Sequence, residues 1–247
     1  MRSLLSFLVI LLCLAATPHA RAANGPTVGM VTRVLNQAQV GSETAVTGML
    51  VHMNDQLRTG PKARLLVTFR DKTELTLGEN ATVVIDRYVF DPDSSTGELA
   101  LKTGVAAFRM ATGKINEMHN RNIAVSTPVA ALAVRGTDFW WGPIDGQFGV
   151  LLVSNSKVQV KTDSGEVLID KAGFGTDIEQ GLSKKKAPGA PSRPYKWPPD
   201  KVARALSQTD FGLAFNAVPL APAAAVISIP IIIGTLPPPQ KPPPRSP

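Results

Sequence analysis

Arg64-Leu65-Leu66-Val67-Thr68-Phe69-Arg70-Asp71-Lys72-Thr73-Glu74-Leu75-Thr76-Leu77 decides the fold class of this chain. Leu65, Val67 and Phe69 alternate with Arg64, Leu66, Thr68 and Arg70, and Leu75 and Leu77 alternate with Glu74 and Thr76. Successive side chains of an extended strand point to opposite faces, so a period of two gives each run one apolar face. Arg70-Asp71-Lys72-Thr73 joins the two runs and reads as a tight hairpin turn.

The same period recurs on both sides of this hairpin. Val83 and Ile85, Leu99 and Leu101, Val158 and Val160, and Val167 and Ile169 each form short alternating runs bounded by Gly, Asn, Asp or Ser. Asp163-Ser164-Gly165 joins the last two runs, with Gly165 free to take a positive φ, and Asn155 suits a further turn. Asp91 to Glu98 reads as a polar loop. No helical period stands out between Pro26 and Gly181. Residues 26–182 therefore predict an all-β domain, an antiparallel sandwich or barrel-like fold, long enough to bury a core between two sheets.

The flanks differ in composition. Residues 1–22 read as a secretory signal peptide: Arg2, an apolar run from Leu4 to Ala16, then the A-x-A site Ala20-Arg21-Ala22. That run is too short to span a bilayer, and an uncleaved anchor is the competing reading. Fifteen of the 21 prolines lie beyond residue 183, so 183–247 reads as a Pro-rich tail. Within it, residues 200–208 suit a short helix, and 218–236 is an uncharged, mostly apolar segment. Pro219, Pro222 and Pro230 favour an extended or strand conformation there over a spanning helix, and membrane contact through 218–236 is the second reading. The tail holds nine basic residues against two acidic, whereas residues 23–182 hold 15 against 17. The basic excess thus belongs to the tail, and nothing in the globular part points to nucleic acid.

Cys13 is the one cysteine and lies in the leader, so the mature chain has no disulfide and no cysteine nucleophile. His52 and His119 are the histidines left after the leader, and no carboxylate pair, nucleophile motif, metal-ligand spacing or cofactor motif accompanies them. Asp91, Asp93 and Glu98 share a loop, but without EF-hand spacing they read as a solvated turn. We expect no enzyme, no metal and no cofactor.

The most distinctive stretch is Ile123-Ala124-Val125-Ser126-Thr127-Pro128-Val129-Ala130-Ala131-Leu132-Ala133-Val134-Arg135-Gly136-Thr137-Asp138-Phe139. It resembles the T-P-x-A-x-x-x-V-R-G-T-x-F signature of the FecR domain family. Asp55 to Thr59, Leu65 to Leu77 and Leu101 to Phe108 are similar to further family blocks in the same order, so the resemblance covers roughly residues 28–180. Asn54 and Lys72 stand where the family often has Gly. The resemblance implies a jelly-roll-like sandwich in a bacterial envelope protein with a sensing or protein-interaction role. Iron-regulator members carry a cytoplasmic anti-sigma segment and a spanning helix before this domain. Here a signal peptide leads into it, so the reading is a stand-alone exported module, periplasmic or secreted, and sigma-factor regulation is not carried over.

The candidate residues follow from this motif. Thr127 and Pro128 suit a strand start or corner, because Pro cannot donate to a central ladder. Val134 and Phe139 are apolar, which suggests that Arg135 is half buried. Two readings compete: Arg135 pins two strands through an internal carboxylate pair, or it recognises an anionic ligand or a partner's carboxylate. Gly136 permits a bulge or a close backbone approach, and Thr137 completes the motif. Trp140 and Trp141 should lie on opposite faces of one strand, one in the core and one partly exposed as a partner contact. The expected partner is an envelope protein or a small ligand. The alternative is a structural envelope protein whose basic tail binds anionic polymer or membrane.

Overall fold

The computed structural model describes residues 25–136, 138–154, 156–179 and 188–212. The leader and the segment 218–236 lie outside these residues, as does Asn155. The first strands are β1 (Thr27–Leu35), β2 (Ala38–Val40), β3 (Glu43–Thr44), β4 (Leu50–His52), β5 (Gln56–Thr59) and β6 (Arg64–Phe69). Then come β7 (Glu74–Leu77), β8 (Thr82–Asp91), β9 (Thr96–Thr103), β10 (Phe108–Ala111), β11 (Asn120–Ser126) and β12 (Ala131–Arg135). The last are β13 (Asp138–Ile144), β14 (Gln147–Leu152), β15 (Lys157–Thr162), β16 (Gly165–Ile169), β17 (Phe174–Ile178) and β18 (Tyr195–Lys196). One helix, α1 (Pro199–Ser207), follows, as the sequence suggested. The 3₁₀ turn at Lys114–Glu117 carries no sequence signature that we identified.

The strands form two nine-stranded sheets. One runs β18-β17-β14-β13-β10-β7-β6-β1-β4 and the other β16-β15-β12-β11-β9-β8-β5-β2-β3. The chain crosses between them after every one or two strands, which makes the all-β sandwich. One pair departs from the antiparallel expectation: β9 and β11 run parallel, from Thr96 beside Asn120 to Lys102 beside Ser126. β10 lies in the opposite sheet. A chain that reverses at each strand, and crosses out and back, returns in its starting direction.

The deciding stretch behaves as its period demands. β6 and β7 pair antiparallel, Leu65 beside Leu77 and Val67 beside Leu75. Leu65, Val67, Phe69, Leu75 and Leu77 are buried, and they pack in one cluster with Leu57, Val83, Ile85, Leu99 and Leu101 of the other sheet. Each such side chain contributes roughly 1.5–3 kcal/mol of burial free energy. Lys72 in the connecting turn takes φ +71, so a lysine occupies the left-handed position for which the family often uses glycine. Asn54 does the same at φ +67. Asp71 is buried, its carboxylate accepting from Thr73 Oγ1 at 2.6 Å and from the hydroxyl of Tyr88 on β8 at 3.1 Å. That carboxylate ties the hairpin to the facing sheet.

Residues 188–212 pack on the domain, so the boundary expected at 182 falls inside the packed structure. β18 pairs with β17, Gly175 beside Tyr195. Trp197 is 2% exposed and lies edge-on to Trp140, with centroids 6.1 Å apart. A Cβ on Gly149 or Gly175 would come within 2.6 or 2.4 Å of the Trp197 ring, so these two strand glycines form the floor of its slot. Lys201 bonds Asp177 at 2.8 and 2.9 Å and the Tyr195 hydroxyl at 3.0 Å. Phe211 then meets the Arg33 guanidinium of β1 at 4.5 Å. The prolines at 188, 191, 194 and 198 lie on a non-helical path leading into α1, and Pro199 opens α1 where a missing N–H costs nothing. No described helix is long and apolar enough to cross a membrane.

Candidate functional site

The motif starts at a turn. The Thr127 N–H donates to the Ala130 carbonyl at 2.9 Å, and Thr127 Oγ1 accepts from the Ala130 N–H at 2.9 Å. This closes the β11–β12 hairpin with Pro128 exposed at its tip, a place that needs no ladder donor. β12 then alternates: Leu132 and Val134 enter the core, and Ala131, Ala133 and Arg135 face solvent.

Arg135 is exposed, which corrects the half-buried expectation. Among the described residues its guanidinium has no carboxylate partner. The phase of β12 explains this, since an inward Val134 sends Arg135 outward. Phe139 does not continue that phase. Gly136 takes φ +59 between β12 and β13, and these two strands belong to different sheets. The same glycine is tightly covered: a Cβ there would lie 2.2 Å from the Asn116 side-chain amide. Thr137 lies outside the described residues. Phe139 is fully buried, edge-on to Phe108 at 5.8 Å.

The arginine that pins strands is Arg109 of β10. Its Nε and Nη2 donate to the two carboxylate oxygens of Asp138 at 2.8 and 2.6 Å. This bidentate pair raises the Arg109 pKa above its ordinary value, outweighing the opposing effect of burial. Sequence reasoning missed Arg109. The available signal was its outward phase between Phe108 and Met110, directly after the Leu101–Phe108 block.

Trp140 and Trp141 are both fully buried, so neither is the exposed contact expected. Trp141 enters the main core and stacks on Phe148 at 5.4 Å. Trp140 does face outward, but residues 188–212 cover it in a second cluster with Ala107, Ile144, Leu151, Trp197 and Ala205. His52 lies beside Asp55, whose carboxylate accepts the His52 backbone N–H at 2.8 Å. Asp91 accepts from the Ser94 hydroxyl at 2.7 Å and from the Ser94 and Asp93 N–H groups, so its carboxylate closes the β8–β9 turn.

What the motif strand offers to solvent is a groove of about 250 Å³ on the outer face of the second sheet, lined by Ala133, Arg135, Lys157, Gln159 and Leu168. Arg135 lies directly across from Lys157, and Ala133 across from Gln159. Leu168, across from Gln159 on edge strand β16, is 50% exposed. Among the described residues Lys157 also lacks a salt bridge. Sequence reasoning singled out Arg135, but not Lys157, Gln159 or Leu168, because strand pairing alone brings these together.

The comparisons with known proteins agree with the motif. Residues 55–159 match the family model described as FecR protein. No curated protein matches the chain. Two crystal structures of a candidate anti-sigma factor from Parabacteroides distasonis are similar at 14% and 15% identity, with TM-scores of 0.46 and 0.45. Each alignment covers 61% of this chain and 63% or 64% of the other, so the chain spans less than two thirds of those relatives. Over residues 55–159, then, the chain is similar to the FecR protein family.

Proposed function

We propose that the chain is an exported, non-enzymatic sensing module of the bacterial envelope that works by binding a protein partner. The observation that carries this reading is the outward-facing arginine of the family motif. Arg135 sits in a groove beside Lys157 with no carboxylate partner among the described residues, which leaves its guanidinium facing outward toward an external anion. A strand-pinning role for the motif's charge is already filled by Arg109 and Asp138. The signal-peptide pattern of residues 1–22 and the absence of mature cysteines support a periplasmic or secreted location.

Affinity capture of the full chain from its own envelope, after mild cross-linking, tests the reading. Recovery of one protein that survives a high-salt wash is the expected result. Recovery of anionic polymer alone, released by salt, would replace the module with the structural reading. Osmotic-shock fractionation tests location, and a cytoplasmic fraction holding the full-length leader would refute export.

A further inference from the structure

We propose that the groove formed by β12, β15 and β16 binds an extended acidic segment of a protein partner, with Arg135 and Lys157 taking its carboxylates. The proposal rests on the protein-binding reading above and names the partner's chemistry. Arg135 and Lys157 are direct cross-strand neighbours on a solvent face, an arrangement in which like charges repel and destabilise the sheet. Neither has a salt bridge among the described residues. Two acids of this sheet are engaged by other groups: Glu98 meets Arg87 at 3.2 Å, and Glu166 on the edge strand lies opposite Lys161 and 3.4 Å from the Gln159 amide. Lys161, four residues along β15, lies opposite Ala131 on one side and Glu166 on the other, so its charge faces an acid and the unpartnered positive charge is that of Arg135 and Lys157.

The geometry suits a peptide. Adjacent strands lie about 4.8 Å apart, so Arg135 and Lys157 can grip one carboxylate together. Carboxylates on one face of an extended segment repeat every 6.5–7 Å or so, which keeps successive ones on the side facing the groove. The planar guanidinium adds bidentate recognition, and the Gln159 amide can hydrogen-bond the peptide backbone. Half-exposed Leu168 offers an apolar contact at the rim that a purely ionic polymer would not use. The groove offers no aromatic platform for a sugar ring. Its two cations fall short of the roughly 4–8 clustered charges that hold a protein to anionic lipid.

The test uses the full chain and a fluorescein-labelled peptide of alternating Glu and Leu, followed by anisotropy at physiological salt. The expected result is saturable binding that weakens at least tenfold in the double variant Arg135→Glu, Lys157→Glu, which instead gains binding to a Lys-Leu peptide. Arg58→Glu, on exposed β5 of the same sheet, should leave the affinity within twofold. Equal loss in Arg58→Glu would mean bulk charge attraction and overturn the proposal. So would absence of binding by the parent chain, or tighter binding of polygalacturonate or phosphatidylglycerol vesicles through the same two residues. Unchanged melting of the double variant separates lost binding from lost folding. If that variant still captures the parent's partner from the envelope, the groove proposal fails while the module reading stands. If the parent captures no protein at all, the module reading itself fails.

Discussion

Gly136 and Lys72 both occupy the left-handed region, and they answer to opposite pressures. At Gly136 the positive φ coincides with a side-chain amide 2.2 Å from where a Cβ would stand. Gly136→Ala should therefore cost about 1–3 kcal/mol, the left-handed penalty plus displacement of Asn116. Adding Asn116→Ala should return part of that loss in a denaturant-melting cycle. Strict additivity of the two changes would show that Asn116 is not the obstacle. Lys72 is exposed at φ +71, so Lys72→Gly should raise stability by roughly 0.5–1 kcal/mol through relief of backbone strain. A lower melting point would mean that the lysine is held by something other than its turn. Arg135→Ala should shift stability by less than about 0.5 kcal/mol, because its side chain is exposed and has no salt bridge among the described residues. The need for glycine at 136 was legible from the motif. Its cause, Asn116, was not, because nothing in a polar turn sequence announces which distant backbone it will cover.

At the scale of elements, the segment from Tyr195 to Gln208 is held by Trp197 in its glycine slot and by Lys201. Trp197→Ala should destabilise by about 3–5 kcal/mol, the range for truncating a buried aromatic. Around Lys201, burial disfavours the cation, but the bonds to Asp177 and Tyr195 outweigh it and raise the pKa above its ordinary 10.5. Burial, and then the bond to Asp177, raise Tyr195 above its ordinary 10.0. A raised folded pKa stabilises fully below the unfolded value and is lost as pH climbs through the folded one. The segment should therefore stay docked through neutral pH and loosen only in strong alkali, above about pH 10. The indole N–H groups of Trp140, Trp141 and Trp197 are buried with no hydrogen-bond partner among the described residues, so native emission should be blue and its red shift should report release. Lys201→Met should flatten that alkaline step. A step at neutral pH, or one unchanged by Lys201→Met, would assign the transition to another group. None of this cluster was legible in the sequence, where Lys201 looked like one basic residue of a proline-rich tail.

For the whole molecule, the sandwich was legible because period-two runs are a local property, and Leu65 to Leu77 states it twice within one hairpin. The domain boundary was not, because proline density marks an extended path and says nothing about whether that path is docked. One signal did point the right way. Phe148-Gly149-Val150-Leu151-Leu152 is a continuous apolar run, and all five residues are buried, as a strand covered on both faces requires. The main core covers Phe148, Val150 and Leu152, and residues 188–212 cover Leu151 together with Trp140. A chain ending at residue 181 would leave that second apolar face in water, beside an unpaired β17 edge. It should melt well below a chain ending at residue 212, show redder tryptophan emission, and bind a hydrophobic dye that the longer chain does not. The two chains differ in the cover of Trp140 but share the groove at Arg135, so both should bind the Glu-Leu peptide alike wherever both are folded. Identical melting curves for the two would mean that the sheet's outer face carries its exposed indole without cost, and that the boundary at 182 is the energetic one after all.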